Sequence, residues 1–156
     1  MFQHKTSFGF TFIEILIVLV IITAISSIIA ASLLSYTAHQ ALLGTTGIII
    51  GELQDARSRT LSSQGGFQYG VHFQNDQTVL FKGATYNSAD STNEVTAFDS
   101  RMQIETISLS GGSVDVVFDR LTGETASPGT VKVSVRSDPT VYKTITRQKT
   151  GLISYN

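Results

Sequence analysis

Hydrophobic and polar positions divide this chain into three textures. From Ile15 to Leu34 the sequence is uncharged and apolar, interrupted only by Thr23, Ser26, Ser27 and Ser32. At 1.5 Å per helical residue, about 20 residues span the roughly 30 Å hydrocarbon core of a bilayer. Beyond it the helical pattern continues in amphipathic form. Leu42, Thr46, Ile49, Leu53, Ala56 and Thr60 recur in alternating steps of four and three, while Glu52, Asp55, Arg57 and Arg59 fall mostly off that stripe. Asp55 and Arg59 have the i,i+4 spacing of a helical ion pair. No proline precedes Pro128, and Gly65-Gly66 supplies the stop. The pattern predicts one helix from about Phe10 to Gln64, some 80 Å long. Its membrane half would cover 10–34 and its amphipathic half 35–64.

Gly44, Gly47 and Gly51 complicate that helix, each costing up to ~1 kcal/mol relative to alanine. Gly47/Gly51, Ser26/Ala30 and Ser27/Ala31 are small-xxx-small pairs, which let helices approach closely. Two readings stay open for the glycines: tight packing or local melting within an assembly, or a helix packed close on its own sheet.

After Gly66 the texture becomes short β-like runs between turn residues. Tyr69–Phe73 alternates, with Tyr69, Val71 and Phe73 on one side, and a polar turn leads into Thr78–Phe81. Gly83–Asn93 reads as a loop. Met102–Leu109, Val114–Phe118, Thr130–Arg136, Val141–Arg147 and Leu152–Tyr155 read as further strands. The expected fold class is α+β, a long N-terminal helix packed on a C-terminal antiparallel β domain over 65–156, built as hairpins or a sandwich.

Glu14 is the anomaly of the apolar segment. A carboxylate near a bilayer centre costs at least ~2.5–3.5 kcal/mol, less near an interface, so a charge kept there needs a partner. Cleavage after Gly9 would leave an ammonium on Phe10 that a neighbouring copy could offer to Glu14. Two unit charges ~4 Å apart attract by roughly 4 kcal/mol at an effective dielectric of 20, comparable to that cost. A lone subunit would be penalised and an assembled one relieved.

Gly9-Phe-Thr-Phe-Ile-Glu14 ahead of a long apolar helix resembles the class III signal of type IV pilins and pseudopilins. The resemblance implies cleavage between Gly9 and Phe10 by a prepilin peptidase, N-methylation at Phe10, and an assembly role for Glu14. It makes residues 1–9 the leader. Phe12 stands where leucine is commoner in that family. An ordinary signal anchor, or a secretory signal with Ala30-Ala31-Ser32 as its cleavage site, is the alternative. A secretory core of about 7–15 residues is shorter than this one, and the alternative leaves Glu14 unexplained.

Composition narrows the picture. The 156 residues leave one modest domain beyond leader and membrane helix, and a net charge of −1 points to no polyanion. There is no cysteine, which excludes disulfides, thiol catalysis and cysteine metal sites. Many major pilins close a C-terminal loop with a disulfide, so the absence favours a pseudopilin or minor-pilin type, with the major pilin as alternative. Tyr69-Gly-Val-His-Phe73, Phe118-Asp-Arg-Leu-Thr-Gly123 and Gly151-Leu-Ile-Ser154 resemble the H-type pseudopilins and FimT-like minor pilins.

No catalytic or nucleotide-binding motif is present, and His4, His39 and His72 lack metal-spaced partners. No enzyme, cofactor or metal is expected. Asp90, Asn93, Glu94 and Asp99 could be offered to calcium but lack a dense ligand loop, and a solvated linker accounts for them. From Thr130 onward Lys132, Arg136, Lys143, Arg147 and Lys149 stand against Asp138 alone. Some FimT-like pilins bind DNA through C-terminal basic residues, which would fall here on Arg136, Lys143, Arg147 and Lys149. A lightly charged strand surface, or a basic edge facing the acid-rich stretch 87–119 of the next subunit, uses the same residues. Lys5 predicts a cytoplasmic leader and a head outside the inner membrane. The partners implied are the peptidase, other pilin subunits, and an inner-membrane assembly platform with its ATPase.

Overall fold

The computed structural model describes residues 9–156, without the side chains of Ala30 and Ala31, so the leader positions His4 and Lys5 lie outside the described residues. The fold is α+β. Helix α1 runs Phe12–Leu61 and is followed by β1 (Tyr69–Phe73), β2 (Gln77–Lys82), β3 (Glu94–Ala97), β4 (Met102–Leu109), β5 (Asp115–Val117), β6 (Gly129–Val135), β7 (Asp138–Arg147) and β8 (Ile153–Tyr155). The chain separates into two compact units, with the division between Thr37 and Ala38.

In the first unit the described residues from Phe12 onward are helical. Every large apolar side chain from Phe10 to Leu34 is exposed, by 44% at Leu16 and 82% at Phe12. Two of its hydroxyls bond inside the helix: Thr23 donates to the carbonyls of Leu19 and Val20 at 3.0 and 2.9 Å, and Ser27 to that of Ala24 at 2.8 Å. Such back-bonding lets these two hydroxyls enter hydrocarbon with their donors met. This segment is long and apolar enough to cross a membrane.

The second unit is built on the expected stripe. Leu42, Thr46, Ile49, Leu53, Ala56 and Thr60 are each at most 2% exposed. Thr46 and Thr60 donate to the carbonyls four residues back at 2.8 Å, which lets hydroxyls enter an apolar core. Thr60 also accepts the Tyr69 amide at 2.9 Å, fixing the start of β1 to the helix. Two four-stranded sheets, ordered β3-β2-β1-β5 and β4-β6-β7-β8, pair antiparallel throughout. Tyr69, Val71, Phe73, Leu80, Val116 and Phe118 from the first sheet join Met102, Ile104, Val131, Val133 and Ile145 from the second in one core with the helix stripe.

Three local departures have physical causes. The helix stops at Leu61 rather than Gln64 because Ser63 adopts a left-handed φ of 51° and Gly65 one of 61°. Strand β3 forms inside a segment whose side chains are mostly exposed, where alternation gave no cue. Gly44, Gly47 and Gly51 do not pack on their own sheet: a Cβ at any of them would meet nothing within 4 Å. Close packing is instead required at Gly70, where a Cβ would lie 2.6 Å from the Phe81 ring.

Candidate functional site

The residues singled out around the signal gather at the start of α1. Gly9, Phe10 and Thr11 lie outside regular structure, and Phe10 is 80% exposed. Among the described residues a Cβ on Gly9 would meet nothing within 4 Å, and Gly9 and Phe10 are both exposed. Thr11 caps the helix. Its Oγ1 accepts the Glu14 amide at 3.3 Å, and the Glu14 carboxylate reaches back to accept the Thr11 amide at 3.5 Å. The Thr11 carbonyl closes the first turn, accepting the amides of Glu14 and Ile15 at 3.1 and 3.3 Å. Thr-x-x-Glu in this geometry is a capping box, in which two otherwise unpaired amides are met reciprocally. Phe10 and Glu14 also line one shallow apolar hollow of about 210 Å³ with Ile15, Val18 and Leu19. Reading the sequence for charge alone missed Thr11, although its spacing to Glu14 was the cue.

The four C-terminal cations do not form a single exposed face. Arg147 corrects the expectation: it is 3% exposed, on the same side of β7 as buried Ile145, with its guanidinium 4.4 Å from the Phe118 ring centre. Burial, and then the charge of Arg57, lower its pKa to about 10. Arg136 is exposed but donates to the carbonyls of Ser100 and Met102 at 3.2 and 3.3 Å. Lys143 is half-buried and Lys149 exposed. Lys132 pairs with Glu105 at 3.0 Å and sits 4.0 Å over the Tyr142 ring.

The acidic residues weighed for calcium each hold local structure. Asp90 accepts from the Thr92 amide and hydroxyl at 2.8 Å, and Asp99 takes the Arg101 guanidinium at 2.7 Å. Hydrogen bonds from Arg101 lower the Asp99 pKa to about 2. Glu94 pairs with Arg59, which also binds Asp55 at 2.7 Å, and the side chain of Asn93 donates to the Asn87 carbonyl at 2.8 Å. Among the described residues, no group of three or more His, Asp or Glu side chains is placed to hold a metal.

His72 is hydrogen-bonded rather than free. Its Nδ1 lies 2.5 Å from the Asp115 carboxylate across the β1/β5 pair, and its ring stacks on Tyr86 at 3.9 Å. Tyr86 in turn meets Phe81 edge-on, so this cluster fastens the 83–93 loop onto the outer face of the first sheet. His39 is exposed on α1. A cleft of about 610 Å³ lies between the end of α1 and β8, lined by Arg57, Ser58, Leu61 and Gly151 among others. Arg57 there donates its Nε–H to the Gly123 carbonyl at 3.1 Å.

These features define an α+β chain with an exposed apolar helix, a capped helix start next to exposed Gly9 and Phe10, and a two-sheet core. No family model matches the chain, and neither does any curated protein or solved structure.

Proposed function

We propose that this chain is a filament subunit of the pilin type, held in the inner membrane by the apolar start of α1 until it is processed and assembled. A prepilin peptidase cuts between Gly9 and Phe10, Phe10 is methylated, and the helix is then drawn out among other pilin or pseudopilin subunits by a membrane platform and its ATPase. The single observation carrying this reading is the uncovered helix, apolar and uncharged from Ile15 to Leu34, with Glu14 as its one acid. Apolar surface of that extent is unfavourable in water by roughly 25 cal/mol per Å², so it stays in lipid or among sister helices. Glu14 then selects the second destination, because a sister chain's Phe10 ammonium offsets its burial.

Within that class the chain is best read as an H-type pseudopilin or FimT-like minor pilin of a type IV pilus-like or type II secretion filament. Support comes from the missing cysteines and from the Phe118–Gly123 turn, whose Gly123 takes a left-handed φ of 64°. A DNA-binding role would rest on Arg136, Lys143 and Lys149 without Arg147, and no observation favours it over the structural role.

Processing tests the reading directly. Co-expressed with a prepilin peptidase, the mature chain is expected by intact-mass spectrometry to begin at Phe10 with one added methyl group. Gly9→Val is expected to remain full length. Recovery of native filaments built from chains that still carry the leader overturns the proposal.

A further inference from the structure

We infer that Thr11 is the positioning residue for Glu14, a role that rests on the filament reading above and gives its acid a defined place. The capping box fixes the carboxylate by two routes: the Thr11 amide holds it at 3.5 Å, and the Thr11 hydroxyl closes the turn through the Glu14 amide at 3.3 Å. A glutamate side chain has three rotatable bonds, and on an open helix face it would sample many positions. Tied back to the helix start, it stays at the positive end of the helix dipole, which favours an anion. In hydrocarbon no water replaces those bonds, so the cap also satisfies amides that would otherwise be unmet. The acid is therefore partly stabilised within its own chain before any sister arrives. Thr11 sets where that sister's ammonium must come.

Glutamine at position 14 separates the two duties, because it can complete a capping box but carries no charge. The experiment uses the full chain with its native processing, first in micelles by amide hydrogen exchange, then in cells by incorporation into sheared filaments. Thr11→Val is expected to speed exchange at the position 11 and Glu14 amides about fivefold and to reduce incorporation by a similar factor. Thr11→Ser is expected to restore both. Glu14→Gln is expected to exchange like the wild type yet fail to incorporate, whereas Glu14→Ala loses both. Unchanged spectra for the 38–156 residues show that each variant head is folded.

Unaltered exchange in Thr11→Val overturns the cap. Faster exchange with normal incorporation, or no rescue by serine, overturns the positioning role. Normal incorporation of both Glu14 variants instead sinks the charge-pairing reading, and the exchange result then stands apart from it.

Discussion

At the scale of the residue, strand parity decides what a charge can do. Arg147 counts as one of five late cations in the sequence, but it occupies the inward side of β7 with Ile145. None of its three guanidinium nitrogens meets a hydrogen-bond acceptor, and its main contact is the Phe118 ring. Burying a cation this way costs more than a ring face returns. The lowered pKa has the same sign: the folded state binds this proton less readily than the unfolded chain. Its contribution is unfavourable below about 10 and is relieved only as pH rises above that value. Arg147→Met is therefore expected to stabilise the protein by about 1–3 kcal/mol at neutral pH, read by urea unfolding. A loss of stability would show that the stacked guanidinium is net favourable. The parity was legible in Val141, Lys143, Ile145 and Arg147; counting charges hid it.

Elements show where local pattern ends and tertiary contact begins. The α1 stripe was readable because six positions obey one helical period and all six are buried. Strand β3 was not, since Glu94, Val95 and Ala97 are exposed and alternation therefore carries no signal. What holds β3 is its pairing with β2 and a fork from the helix. Arg59 grips Asp55 one turn back and both oxygens of Glu94. The acceptors, Glu94 first and then Asp55, raise the Arg59 pKa further above its ordinary value. The Asp55 half follows from i,i+4 spacing, whereas Glu94 lies 35 residues away and only the fold brings it in. Arg59→Ala is expected to cost about 1 kcal/mol, as partly exposed pairs do. Hydrogen exchange should quicken at Val95 and Thr96 more than at Val131 or Val133. Lysine at 59 should recover little, lacking the planar fork that binds two carboxylates. Equal protection of β3 in the alanine variant would mean that β2 alone suffices.

Across the whole molecule, the two units need opposite surroundings. From Phe10 to Leu34 every large apolar side chain is uncovered, whereas the described buried core begins at Leu42 and draws on both sheets. The sequence placed the boundary at 34/35, where polar residues resume; compactness places it between Thr37 and Ala38. Among the described residues, all buried side chains lie on the later side, so that core draws nothing from the bare helix. A chain of about 120 residues is within the size range that folds alone. The segment 38–156 is accordingly expected to be soluble and monomeric by size-exclusion chromatography and to melt in one cooperative transition by circular dichroism. The full chain should need detergent or a bilayer to stay dispersed, because its large apolar side chains from Ile15 to Leu34 are exposed. The exposed Leu121, at 95%, and the open faces of Gly44, Gly47 and Gly51 lie within the truncated piece, so it also tests whether they alone drive association. A truncated head that aggregates or unfolds gradually would place part of its stability in the first 37 residues, and the separation of duties between helix and head would fail with it.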